Sequence, residues 1–296
     1  MATHPPVGII GLGLLGSVLA ARLIGAGIPV TGFDVDSRQR AMLKDLGGEI
    51  AATATQVIVR CQTILVAIYN AGQIELLFDE LGRRPHLAGA VMVCTTTCSP
   101  EDILSIAARA AEAGLGFVEA PISGTSAETR DGSALALIAG EPQAIDAVQW
   151  VLNVICPQQM RMGGIGNAAR TKLALNLILQ NNRAALAEGL AFAESMGLDA
   201  AAFLATARRS AAYSRVMDSK GDKMLARDFA PQSHIAQTLK DSELILEEAR
   251  QQEQHLPMTL IQTGLLRSAI TLVGPEADSS AVIEAIRRKP KPRGRR

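Results

Sequence analysis

The first half of the chain alternates short apolar runs with longer segments whose apolar residues recur every three or four positions. "VGII" leads into a helical pattern near residues 14 to 25, and "PVTGFD" leads into another near 37 to 46. "TILVAI" follows, and "AVMVC" precedes a segment that Pro100 can open, because proline suits the first helical turn. "LGFVEA", "ALALIAG" and "QQMRM" complete the series, with the helical "PQAIDAVQWVLNVI" between the last two. Continuous Val/Ile/Leu runs separated by helices predict a mostly parallel sheet covered on both faces, an α/β domain over residues 1–163.

After Gly166 the period changes. Residues 167 to 195 read as one long helix stopped by Gly197, and three or four further helices follow without strand signals. An all-helical second domain is therefore expected over residues 164–288. At 296 residues and 48% hydrophobic, the chain can fill two cores of that size.

Charge alters the picture only at the end. Lys plus Arg and Asp plus Glu both total 29, but "RRKPKPRGRR" (287–296) holds seven basic residues and no acidic one, leaving the remainder acidic by about seven charges. Such a body is not built to grip phosphate backbones, so no nucleic-acid partner is expected, and residues 289–296 read as a basic disordered tail. Cys61, Cys94, Cys98 and Cys156 lack C-x-x-C spacing and read as reduced, buried thiols, which suits the cytoplasm. His4, His86, His234 and His255 lack ligand spacing, so no metal is expected. No apolar run is long enough to span a bilayer, and no membrane partner is expected.

The candidate chemistry begins at "GLGLLG". Gly11-x-Gly13-x-x-Gly16 stands directly after a strand pattern and at the start of a helix pattern. Gly11 permits the tight turn, Gly13 lets a pyrophosphate approach the backbone, and Gly16 allows close helix-to-strand packing, with the anion on the positive end of the helix. With the following strand the arrangement predicts dinucleotide binding. That strand ends at Asp34, where a carboxylate can accept hydrogen bonds from the adenosine ribose and would repel a 2′-phosphate. Arg38 nearby partly offsets that repulsion, so NAD is expected in preference, with NADP possible.

A second feature is "GGIGNAARTKLALNLILQNN" at 163–182. Lys172, Asn176, Gln180 and Arg183 fall near one stripe of the long helix, surrounded by Leu173, Leu175, Leu177, Ile178 and Leu179. A lysine in apolar surroundings must lose its proton, find a partner or face a cleft. Periodicity alone leaves a solvent-facing stripe and an internal cleft both open, the surface stripe being the simpler reading.

With the glycine loop, "APISG" at 120–124, "GxGxxxxxK" at 164–172 and "LKD" at 239–241, the chain resembles the beta-hydroxyacid dehydrogenase family over residues 7 to 285. The family includes 3-hydroxyisobutyrate dehydrogenases and tartronate semialdehyde reductases. The resemblance implies a Rossmann-type N-terminal domain and an all-α C-terminal domain like that of 6-phosphogluconate dehydrogenase, and a homodimer or homotetramer. It implies cofactor contacts at Gly11, Leu12, Gly13, Leu14, Leu15, Gly16, Asp34, Ala67, Ile68, Thr97 and Lys240, the last also helping to close the cleft. It places Ser123, Gly124 and Thr125 in the loop that binds a small carboxylate-bearing substrate, and Lys172 and Asn176 at the reactive positions. Several positions depart from the family pattern: Leu15 stands for its usual Met, Tyr69 for a proline and Leu175 for its first asparagine. Thr125, Glu128 and Thr129 replace small residues, which suggests a substrate longer, more branched or more hydroxylated than 3-hydroxyisobutyrate.

The implied reaction moves a hydride between the nicotinamide and a small beta-hydroxy acid or its semialdehyde, with Lys172 as general base in oxidation and general acid in reduction. A free lysine ionises near pH 10.4, so burial beside an oxidised nicotinamide would favour the base role. Asn176 would hold the substrate hydroxyl or orient the lysine. Ser123 and the Gly124 amide would bind the carboxylate, glycine leaving room for its approach. The competing readings are an NADPH-dependent aldehyde or imine reductase and a non-catalytic dinucleotide-binding protein. Asp34 argues against the NADPH aldehyde branch, Lys172 against the imine branch, and Lys172 with Ser123 against the non-catalytic reading.

Overall fold

The computed structural model describes residues 4–82 and 87–287, and the tail expected at 289–296, like His86, lies outside them. The chain divides into two compact units, one ending at Leu173 and one starting at Ala174.

The first unit is built on strands β1 (Val7–Ile10), β2 (Val30–Phe33), β3 (Glu49–Ile50), β4 (Thr63–Val66), β5 (Val91–Cys94), β6 (Gly116–Glu119), β7 (Ile122–Ser123), β8 (Leu135–Gly140) and β9 (Gln158–Gly163). Helices α1 (Leu14–Gly25), α2 (Ser37–Asp45), α3 (Ala54–Arg60), α4 (Ala71–Leu81), α5 (Pro100–Glu112), α6 (Ser126–Asp131) and α7 (Pro142–Ile155) connect them. The sheet runs β3-β2-β1-β4-β5-β6-β8-β7, with β9 beside β8. Every pair from β3 to β6 is parallel.

Alternation along the strands feeds two cores. Val7, Ile9, Leu65 and Val93 pack with Leu19 and Leu23 of α1 and Val148 and Leu152 of α7. Ile10, Ile64, Val66 and Met92 pack with Val57 of α3, Phe78 of α4 and Ile106 of α5 on the other side. Each such side chain contributes roughly 1.5–3 kcal/mol by leaving water, which is why these strands are apolar throughout. The predicted opening of α5 is realised: Pro100 sits in its first turn, while Ser99 and Asp102 satisfy one another's backbone in a capping box.

Two details differ from the pattern. β8 runs antiparallel to both β6 and β7, and apolar alternation carries no direction. β3 and β7 hold two residues each, too few to show any period.

Among the described residues the regular elements of the second unit are all helices. The unit continues α8 (Asn167–Ser195) from Ala174 and adds α9 (Ala200–Ala207), α10 (Asp222–Ala226), α11 (Ile235–Gln251), α12 (Pro257–Val273) and α13 (Val282–Arg287), with a π-helical turn at Met217–Gly221. Among the described residues five helices thus follow α8, more than the three or four expected, because α10 and α13 are too short to carry a helical period. Leu186, Leu190, Leu204, Met224, Leu266 and Ile283 form its core. The four cysteines are buried free thiols.

Candidate active site

The glycine loop leaves β1 at Gly11, whose φ of +90° suits glycine, and a Cβ there would lie 2.4 Å from the Ala67 carbonyl oxygen. Gly16 is pressed harder: a Cβ would stand 1.9 Å from the Gly11 carbonyl oxygen, so α1 packs directly on its own loop. Gly13 differs, because a Cβ there meets nothing within 4 Å. It is also the N-cap of α1, which has no side-chain cap and no acidic residue in its first turn. Two glycines therefore serve the fold and the third leaves open space at the positive end of a helix. Leu14, Leu15 and Gly16 form the first turn of that helix.

Asp34 is fixed beside this loop. Its Oδ2 accepts from the Leu12 amide at 2.7 Å and its Oδ1 from the Asp36 amide at 2.8 Å. Arg38 grips Asp36 at 2.8 Å and holds that carboxyl below the usual carboxylate range. The arginine expected to soften repulsion of a 2′-phosphate is therefore already paired. Arg40 donates to the Asp34 carbonyl and lies over Phe33. Phe33, Val35, Arg40, Ile50, Ala51 and Ala52 line an open depression of about 640 Å³.

Ala67 and Ile68 follow β4, and the Ala67 amide donates to Ile10 at 2.8 Å. After β5, Thr95 donates from its backbone and its hydroxyl to Val66 O, both at 2.9 Å, and Thr96 donates to Ile68 O at 3.0 Å. Half-buried Thr97 comes next, ahead of α5. All these groups stand at the carboxyl ends of β1, β2, β4 and β5, where the strand order reverses about β1. In open α/β sheets that reversal is where dinucleotides bind.

The segment after β6 gathers the remaining first-unit residues. Glu119, wholly buried, accepts from the Gly166 and Ala169 amides, the second at 2.8 Å, and so caps the start of α8. Burial pushes its carboxyl above the usual carboxylate range, the two N–H bonds opposing. Three residues on, the Ile122 carbonyl accepts from Lys172 Nζ at 2.7 Å. One short segment thus holds both the helix end and the lysine that the helix carries. Lys172 is 6% exposed, which places it inside and removes the solvent-facing reading of its stripe.

Ser123 lies next to that carbonyl. Gly124 has a φ of +154°, and a Cβ there would stand 2.8 Å from the Ala134 Cβ, so packing alone already demands glycine. The Thr125 hydroxyl accepts from the Glu128 amide at 3.2 Å while Glu128 accepts from the Thr125 amide at 2.8 Å, a capping box for α6. Thr129 is buried and donates back to Thr125 O at 2.9 Å. The three departures from the small-residue pattern thus have a local structural use.

In the second unit, Asn176 stands one turn beyond Lys172 on the same helix, 5% exposed, and donates to Asp241 Oδ2 at 2.9 Å. Lys240 pairs with Asp241 Oδ1 at 3.0 Å. Gln180 and Arg183 are buried as well, whereas Ile178 on the flank is 56% exposed. The polar stripe of this part of α8 is its inner face, an inversion that composition cannot show. Sequence reasoning missed a buried ion pair, Lys220 Nζ to Asp278 at 2.8 and 2.9 Å. Lys220 sits on the π-helical turn, whose polar "MDSKG" gives no periodic signal. Among the described residues no group of three or more His, Cys, Asp or Glu could hold a metal, and no helix is long and apolar enough to cross a membrane.

Two family models match this chain. The NAD-binding domain of 6-phosphogluconate dehydrogenase matches residues 6–164, and the NAD-binding domain of NADP-dependent 3-hydroxyisobutyrate dehydrogenase matches residues 166–286. A 2-(hydroxymethyl)glutarate dehydrogenase of Eubacterium barkeri is 29% identical, covering 94% of this chain and 93% of its own. A 2-hydroxy-3-oxopropionate reductase of Escherichia coli is 28% identical, covering 95% and 96%. The crystal structure of a 3-hydroxyisobutyrate dehydrogenase from Salmonella typhimurium superposes with a TM-score of 0.85 at 25% identity, over 95% of this chain and 99% of that one.

Proposed function

The chain belongs to the beta-hydroxyacid dehydrogenase family, and on that premise we propose that it moves a hydride between a nicotinamide dinucleotide and a small carboxylate-bearing hydroxy acid or its semialdehyde, with Lys172 handling the proton. The observation that carries this reading is the buried Lys172 amine, 2.7 Å from the Ile122 carbonyl and beside Ser123. The cofactor supplies the hydride when bound. The protein's share is an ammonium or amine at a fixed place, an amide from Asn176 one turn away and a hydroxyl from Ser123 for the carboxylate. Beyond its bond to Asp241, Asn176 keeps a second amide hydrogen and a carbonyl oxygen without partners among the described residues. Thr97 and Lys240 belong to the cofactor side in this reading.

NAD is the preferred cofactor in this proposal. Asp34 stands beside the glycine loop, and Arg38 is spent on Asp36. Two like charges about 4 Å apart near a protein surface repel by about 4 kcal/mol before salt screening, so discrimination of at least ~10-fold against a 2′-phosphate is expected. A second reading, with NADP, takes its support from the NADP-dependent dehydrogenase whose domain matches residues 166–286.

Nicotinamide absorbance during a screen of 3-hydroxy acids and semialdehydes, run with NAD and NADP side by side, tests both points. Turnover of at least one compound, with the higher kcat/KM on NAD, is the expected result. Silence across the panel removes the activity, and a lower KM for NADP reverses the cofactor assignment.

The same proposal includes a homo-oligomer, a dimer or tetramer, in the cytoplasm. The second unit leaves Ile178, Phe192, Met258, Leu260 and Ile261 mostly exposed, apolar area that another copy would cover. The four free thiols suit a reducing compartment. Light scattering at micromolar concentration should return a multiple of the 31.2 kDa chain mass; a monomer mass would refute the assembly.

A further inference from the structure

Helices of the first unit close their amino ends in two different ways. α5 and α6 do it locally, Ser99 with Asp102 and Thr125 with Glu128, each pair three residues apart and each residue satisfying the other's backbone. α8 has no side chains for such a box. Its first helical bond runs from the Arg170 amide to the Gly166 carbonyl at 3.1 Å, which makes Gly166 the cap residue, and Ala169 stands three positions on. The two amides that a capping box would satisfy are met from outside instead. Both belong to Glu119, 47 residues before Gly166: one carboxylate oxygen accepts from the Gly166 amide and the other from the Ala169 amide at 2.8 Å.

A local box stabilises a helix without fixing it to anything else. The Glu119 clamp ties it to the sheet. The Glu119 backbone lies between Cys94 of β5 and Ala139 of β8, and its wholly buried carboxyl is pushed above the usual range because burial outweighs the two N–H bonds. Capping alone does not call for so costly a group. Gly166, Ala169 and Lys172 follow at intervals of three, along one side of the helix. Glu119 receives the first two through their amides, and Ile122, paired with Ala136 of β8, receives the third through the 2.7 Å bond from Nζ. All these residues lie within the first unit.

We propose that Glu119 is a positioning residue for the reaction: by clamping the first turn of α8 to β6 it sets the height and rotation of the helix, and with them the place of the Lys172 amine. Glu119 itself touches neither substrate nor cofactor. The functional consequence rests on the reading of Lys172 as the proton-handling group.

Glu119→Gln keeps the side-chain shape but offers one acceptor oxygen in place of two, so one of the two amides is left facing an NH2 group. The expected result is a kcat lower by ~10- to 10²-fold, the cost of displacing a reacting group by about 1 Å, with the Kd for NAD unchanged. In the Lys172→Ala background the same substitution should cost little further, because two residues that act as one unit are not additive. A readout independent of turnover is reductive methylation of Lys172, followed by mass spectrometry, with the buried thiols of Cys61 and Cys156 in the same unit labelled in parallel as a gauge of general opening. Lys172 should label several times faster in Glu119→Gln while the thiols stay slow. Unchanged labelling of Lys172 overturns the proposal, whatever turnover does. Labelling that rises in step with both thiols also overturns it, by making Glu119 a support for the whole unit, and so does an equal loss of turnover in the two backgrounds. Normal turnover in Lys172→Ala, with Lys172 labelling raised by Glu119→Gln, would sink the catalytic reading and leave the placement of the amine by Glu119 standing.

Discussion

Replacing Lys172 by Ala is expected to lower kcat at least ~10²-fold while the dissociation constant for NAD stays within about twofold. The first number follows from what a positioned general acid or base contributes, commonly 10²–10⁴-fold. Retention of the cofactor follows from the architecture. The loop for the dinucleotide is formed by Gly11, Gly13 and Gly16 between β1 and α1, with Asp34 tied to the Leu12 amide, and the lysine side chain bonds to Ile122 instead. The fold should also survive, because Glu119 still caps the start of α8 through the Gly166 and Ala169 amides. Pre-steady-state absorbance with the best hydroxy acid separates the steps: the hydride-transfer phase should slow and cofactor titration should not change. Near-normal turnover in Lys172→Ala would take the lysine out of the mechanism.

The second large effect is a contrast within one loop. Gly16→Ala should destabilise the chain by about 3 kcal/mol or more, because the new methyl would stand 1.9 Å from the Gly11 carbonyl oxygen, a backbone atom that cannot swing aside. Gly13→Ala should leave Tm nearly unchanged, since a Cβ there has no atom within 4 Å. Its cost falls on the cofactor. Losing one or two charge-assisted hydrogen bonds, each about 1.5–3 kcal/mol, raises the Kd for NAD by roughly 10- to 10²-fold or more. Thermal melts and NAD titrations of the two variants decide it. Equal stability losses would mean that the space at Gly13 is filled by the protein, and unchanged affinity in Gly13→Ala would mean that no phosphate approaches there.

Much of this molecule is legible in its sequence because the relevant physics is local. Strands buried on both faces must be apolar throughout, so "VGII", "TILV" and "VMVC" announce a parallel sheet. A turn that crowds carbonyl oxygens admits only glycine, so Gly11 and Gly16 are readable as spacing. β3 and β7 were not readable, since two residues have no period, and α10 and α13 failed for the same reason. The lysine question shows the limit more sharply. Periodicity puts Lys172, Asn176, Gln180 and Arg183 on one stripe and surrounds them with leucines, yet the leucine flank carries the exposed Ile178 while the stripe is buried.

The residues brought together across long stretches of chain were likewise invisible. Glu119 meets the amides of Gly166 and Ala169, Asn176 meets Asp241, and Lys220 meets Asp278. No spacing rule links such positions, because each pairing depends on where two separate elements end.

The sequence by itself determined the layered first unit, the helical second one, the glycine loop and the family to which the chain belongs. Hydrophobic period and turn sterics act between near neighbours in the chain, and those are written out in order. Only the tertiary structure decided which face of α8 is inside, that the Thr125 and Glu128 substitutions form a helix cap, and that Arg183 lies buried with its Nε and Nη1 lacking hydrogen-bond partners. Burial and charge compensation are sums over neighbours in space, and a linear chain does not say who those neighbours are.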